Sequence, residues 1–60
     1  MRVRVNGVET TLAPGMKVRH ALIQTGRLPE IERGKKVYDA RGNEVGLDGA
    51  LHDDAELWVR

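Results

Sequence analysis

Residues 45–59, VGLDGALHDDAELWV, set the reading of the whole chain. Ala55, Leu57 and Val59 alternate with Glu56, Trp58 and Arg60, the period of two that gives a strand one apolar and one polar face. Asp48-Gly49 turns the chain ahead of that strand, and Leu51 is placed as an apolar plug before the acidic run His52-Asp53-Asp54. A strand with one apolar face needs a sheet to lie in and a second layer to cover it. That layer must come from upstream.

Working back toward the N-terminus, Glu44–Leu47 and Lys36–Asp39 read as short strands joined by the turn Arg41-Gly42-Asn43. Residues 28–35, with Pro29, mixed charge and Gly34, read as an irregular connection with Leu28 and Ile31 tucked beneath it. From about Lys17 to Thr25 the residues Val18, Ala21, Leu22 and Thr25 recur at three and four, which puts them on one helical face. Gly26 is placed to stop that helix in the left-handed conformation. No Ser, Thr, Asp or Asn stands near Met16 or Lys17, so the predicted first turn lacks the usual cap. Met1–Asn6 alternates Arg2 and Arg4 with Val3 and Val5, Asn6-Gly7 supplies a two-residue hairpin turn, and Val8–Leu12 returns. Ala13-Pro14-Gly15 ends that strand, because proline donates nothing to a ladder. The expected architecture is α+β, one helix on one face of a mixed sheet of four or five strands, in a single domain over residues 1–60. The predicted core is Val3, Val5, Leu12, Val18, Leu22, Leu51, Leu57 and Val59.

A chain of 60 residues buries only about 60% of the surface its unfolded form exposes. With no cysteine, neither a disulfide nor a thiolate metal site reinforces so small a core. Net charge is +1 but unevenly spread. Residues 1–30 carry Arg2, Arg4, Lys17, Arg19 and Arg27 against Glu9 and Glu30; residues 31–60 carry seven acids against five bases. The split suggests a surface dipole or an ordinary solvated surface. No signal-peptide pattern and no apolar run of membrane-spanning length occurs, so a soluble, cytoplasmic protein with no membrane partner is expected.

Three stretches, MRVRVNGVETTL, PGMKVRHALIQTG and GNEVGLDGALHDDAELWV, together resemble the β-grasp (ubiquitin-like) superfamily, in particular the small sulfur carriers of thiamine and molybdopterin synthesis and TGS domains. The resemblance implies that Leu51 is the buried leucine before an acidic turn, and that the first and last strands lie parallel at the sheet centre. The shared motifs specify turns and core positions, so they speak to fold rather than function. Sulfur carriers end in a flexible Gly-Gly tail whose carboxylate is activated, whereas this sequence ends Trp58-Val59-Arg60. Ferredoxins of this fold need four cysteines, and here there are none.

No residue pattern specifies catalysis. His20, beside Arg19 on the predicted helix, has no nucleophile or carboxylate at a telling spacing. Asp48, His52, Asp53 and Asp54 match no established metal loop and read as a solvated turn. Trp58 is the sharpest individual signal. Strand alternation sends it to the uncovered face between Glu56 and Arg60, and a parallel first strand brings Arg2 and Arg4 alongside. Arg2, Arg4, Trp58 and Arg60 then form a candidate binding patch, with a structural cation–π role for the indole as the rival account. The expectation is a non-enzymatic interaction module, needing no cofactor or metal, that docks a protein through its open sheet face. The alternatives are a degenerate or truncated relative of the sulfur carriers and a weak, TGS-like nucleic-acid binder using Arg2, Arg4, Lys35, Lys36 and Trp58. Near-neutral charge and a single tryptophan argue against the last.

Overall fold

Strand β1 (Arg2–Val5) buries Val3 and Val5 and exposes Arg2 and Arg4, so the alternation of the sequence is the alternation of the strand. Asn6 and Gly7 follow with φ of 51° and 83°, the two positive values that a tight hairpin turn demands. β2 (Val8–Thr11) returns antiparallel in the register Val5↔Val8 to Arg2↔Thr11. The computed structural model describes all 60 residues. Its remaining elements are α1 (Val18–Gln24), α2 (Leu28–Glu32), β3 (Val37–Tyr38), β4 (Glu44–Val45) and β5 (Ala55–Val59).

The five strands form one mixed sheet in the order β2-β1-β5-β3-β4. β5 runs parallel to β1, with Val3↔Ala55 and Val5↔Leu57 in register, and antiparallel to β3. Asn6 extends the β1–β5 ladder through its side chain. Its Oδ1 accepts from the Val59 N–H at 2.8 Å, and its Nδ2 donates to the Val59 carbonyl. The turn residue is therefore also a clasp on the last strand.

The core is ten buried apolar residues: Val3, Val5, Leu12, Val18, Ala21, Leu22, Val37, Ala55, Leu57 and Val59. Leu51 is only half-buried at its edge, a correction to its predicted burial. It sits on the irregular run into β5 rather than on an element that presses it inward. Val37, absent from the predicted core, is buried because β3 is flanked by β5 and β4.

α1 ends as its sequence implies. Gly26 has φ 74°, its N–H donates to the Ile23 carbonyl, and the Arg27 N–H donates to Leu22 at 2.8 Å, the paired bonds of a Schellman stop. Its start is capped by two carbonyls distant in sequence and by one local side chain. The N–H groups of Val18 and Arg19 donate to the carbonyls of Gly49 and Leu47 at 3.1 and 2.9 Å. The Lys17 N–H donates to His20 Nδ1 at 2.8 Å. The absent N-cap residue is thus replaced by the 47–49 turn.

A second helix, α2, joins the single predicted one. Residues 28–35, expected to be irregular, contain α2. Pro29 stands in its first turn, where a missing N–H costs nothing, and Gly34 (φ 104°) closes it. The Gly34 and Lys35 N–H groups donate to Ile31 and Glu30, the same stop as in α1. One turn of helix is too short to display a period of 3.6, so only the Pro–Gly framing signalled it.

Candidate functional site

Register decides which side chains share the sheet face turned away from the core. Arg4 lies opposite Glu9 on one side and Glu56 on the other. Trp58 lies opposite Tyr38, and Tyr38 opposite Glu44. Arg60 and Lys36 exchange both backbone hydrogen bonds at 2.9 Å, so they stand together one step beyond the aromatic pair. The four candidate residues Arg2, Arg4, Trp58 and Arg60 are all on this face, with Tyr38 and Trp58 half-buried near its middle.

Contacts within the face differ from those expected. Arg2 and Arg4 do not flank the indole; each reaches instead toward the carboxylate beside it, Asp54 in the turn ahead of β5 and Glu56 on β5, at 3.9 Å. A carboxylate offers a guanidinium both charge and acceptors, whereas an exposed aromatic face is worth only about 0.5–1 kcal/mol. The Trp58 Nε1–H donates to Glu56 Oε1 at 3.0 Å. The cation–π contact belongs to Arg60, whose guanidinium carbon lies 5.7 Å from the Tyr38 ring centroid. Sequence reasoning missed Tyr38. Its outward direction follows from buried Val37, but its pairing with Trp58 joins residues 20 positions apart, which no local pattern reports.

Electrostatically the face is balanced. Arg2, Arg4, Lys36 and Arg60 stand with Glu9, Glu44, Asp54 and Glu56, and Lys36 pairs with Glu44 at 3.8 Å. The uneven charge of the two halves of the chain is cancelled by folding, because Arg2, Arg4 and Arg19 pair with Asp54, Glu56 and Asp48 across the structure. A face with equal charge of both signs lacks the positive field that a polyanion selects.

The acidic turn is occupied by structural bonds. Asp53 Oδ1 accepts the Arg2 N–H at 2.8 Å, and this bond, helped by the charge of Arg2, holds the Asp53 carboxyl below its usual range. The Asp54 N–H donates to the Arg2 carbonyl at 2.7 Å. Asp48 belongs to Arg19 at 2.6 Å. No group of three His, Asp or Glu side chains is placed to hold a metal ion. His20 is committed to the helix cap described above. A cleft of about 480 Å³ opens where β3 leaves β5, lined by Val18, Leu51 and Leu57 and rimmed by Asp39, Arg41 and His52. Its Asp39 carboxylate accepts the N–H groups of Arg41 and Asn43, both at 2.9 Å. The Asn43 and Arg41 bonds hold that carboxyl low as well.

No helix is long and apolar enough to cross a membrane. Comparison with family models, with curated proteins and with solved structures finds no match for this chain.

Proposed function

We propose that this chain is a non-enzymatic β-grasp interaction module that docks a protein partner through its open sheet face. The observation that carries the reading is the Tyr38–Trp58 cross-strand pair, half-buried on a face that no helix covers and bordered by Arg60 and Glu56. Trp, Tyr and Arg are the residues most enriched where binding energy concentrates. The β-grasp assignment draws on the strand order and on the parallel β1–β5 pair. The sulfur-carrier alternative has that same strand order in its favour and no residue beyond it, and the balanced charge of the face weighs against nucleic acid.

Trp58→Ala tests the docking face. The variant should keep the far-ultraviolet circular dichroism and a cooperative thermal transition, and should bind a protein captured by the parent chain at least ~30-fold more weakly, the loss of a ~2 kcal/mol hot spot. Capture unchanged by both Trp58→Ala and Tyr38→Ala would remove the face from consideration.

A further inference from the structure

We propose that the cleft between β3 and β5 binds an extended peptide, which takes the ladder position that β3 vacates opposite Glu56. This is a second site, beyond the docking face. Along a strand, the N–H and carbonyl groups of successive residues turn to opposite sides. The Leu57 carbonyl accepts the Asn6 N–H and the Val59 N–H donates to the Asn6 side chain, so Leu57 and Val59 address β1. Arg60 exchanges both bonds with Lys36, and Trp58 lies opposite Tyr38 in the same register, so Arg60, Trp58 and Glu56 address β3. One step further, that register would set Ala40 opposite Glu56. Instead the Asp39 N–H donates to the Asn43 carbonyl at 2.8 Å and the Gly42 N–H donates to the Asp39 carbonyl at 3.0 Å, which turns the chain away toward β4. The Glu56 N–H and carbonyl are left without a partner in the chain. The cleft of about 480 Å³ occupies the vacated place.

A free donor and a free acceptor on one strand residue are the complement of the same pair on another polypeptide. An antiparallel residue satisfies both at once, as Lys36 does for Arg60. A ligand offering only a donor or only an acceptor would cover one group and leave it unsatisfied, which costs more than a made bond gains. Strand alternation then assigns the peptide's side chains. The residue opposite Glu56 points to the open side of the sheet. The next residue toward the peptide's C-terminus, opposite Ala55, points to the covered side, where Ala55 and Leu57 are buried and Val18 and Leu51 complete the floor. An apolar side chain fits there. The preceding residue enters beside Asp39, at the head of the turn, and must be small.

Charge selects the residue opposite Glu56. Asp39, Asp54 and Glu56 border the cleft against the single cation Arg41, and the arginines that face Asp54 and Glu56 from β1 approach them only to 3.9 Å. A Lys or Arg on the peptide meets this excess of carboxylates. The ligand is therefore an extended segment of the pattern small, cationic, apolar. Two backbone bonds and one sheltered side chain support only weak binding, with a dissociation constant on the order of 0.1–10 mM.

Titration of the isotope-labelled full chain with acetyl-Gly-Lys-Leu-amide, followed by amide NMR, tests the assignment. The Glu56 amide should shift saturably as its N–H gains an acceptor, and its hydrogen exchange should slow at least ~10-fold at saturation. The same peptide methylated on the lysine backbone nitrogen loses the donor for the Glu56 carbonyl and should bind at least ~5-fold more weakly. Acetyl-Gly-Glu-Leu-amide should also bind at least ~5-fold more weakly, by like-charge repulsion, and Glu56→Gln should narrow that preference. These controls alter the peptide or an exposed rim group, so the fold is not at stake. A Glu56 amide that does not respond up to about 20 mM peptide, above the affinity range expected of so small a ligand, overturns the site. Equal affinity for the methylated peptide overturns the ladder pairing on which it rests. Shifts confined to Tyr38, Trp58 and Arg60 would put the peptide on the open face, which overturns the cleft and leaves the docking face standing.

Discussion

The two faces of the sheet are held by different physics. The covered face consists of apolar side chains packed under α1 and α2, with no buried polar or charged residue. The open face carries four cations, four anions and two half-buried aromatics, joined by ion pairs at 3.8–3.9 Å. Burial of a Leu or Val is worth about 1.5–3 kcal/mol, whereas an exposed ion pair contributes about 0–1 kcal/mol. Stability therefore resides in one face, and the other is free to vary at little cost to folding. This surface, which contributes little to stability yet holds the only tryptophan, is the one to which our proposal assigns docking.

The sharpest way to break this contrast is Leu22→Ala. Leu22 is fully buried at the centre of the core, and its truncation should cost about 2–5 kcal/mol, much of the total available to so small a domain. Its cooperative thermal transition should be lost or moved far down. Trp58→Ala on the open face should cost under about 1 kcal/mol in the same melt. Equal losses from the two variants would show that the faces are not distinct.

The next effect concerns the contact that joins the covered face to its helix. At Gly49 an added Cβ would lie 3.0 Å from the Gly46 carbonyl oxygen and 3.4 Å from Val18 Cγ2. The first neighbour is backbone and does not yield easily. Gly49→Ala should therefore cost about 1–3 kcal/mol, with faster hydrogen exchange at Val18 and Arg19, whose N–H groups bond to this turn. His20→Ala removes the acceptor for the Lys17 N–H and should cost about 0.5–1 kcal/mol, the usual worth of a cap. Unchanged exchange at residues 17–19 in both variants would mean that the turn does not cap α1.

The smallest effect is electrostatic and lies at the exposed rims. The carboxyls of Glu30, Asp39 and Asp53 titrate below their ordinary values. Lys35 and then Arg27 lower Glu30, the Asn43 N–H lowers Asp39, and the Arg2 N–H lowers Asp53. A carboxyl with a lowered folded-state value stabilises the fold at pH above its unfolded value, near 4, and loses that contribution as pH falls through the folded value. Thermal stability should thus decline with acid below about pH 4. Asp53→Asn should flatten that decline slightly. A melting temperature that rises on acidification would reverse the sign of the argument.

Residues 1–12 were legible because their pattern is local. Alternation places Val3 and Val5 inward, and Asn6-Gly7 adopts the two positive φ values that few other pairs accept. The end of α1 at Gly26 and the alternation of Ala55, Leu57 and Val59 were legible for the same reason. α2 was not, because a five-residue helix is shorter than the period that would identify it. On the open face, Trp58 and its outward direction could be read from β5 alone. Tyr38 as its neighbour could not, nor could Glu56 and Asp54 as the captors of Arg4 and Arg2.

The amino-acid sequence by itself determined the strands that alternate, the turn that glycine and asparagine permit, the helix stop, and the absence of thiol chemistry. Each of these rests on interactions spanning fewer than about five residues, where sterics and periodicity suffice. Tertiary structure alone decided what caps α1, what Asn6 clasps, which carboxylate each arginine meets, and that Glu9 and Arg60 are left unpaired. Those outcomes depend on strand order and register, which bring together residues up to 53 positions apart. Contacts of that kind are selected by the competition among all possible pairings for one packed core, and no short stretch of sequence records its result.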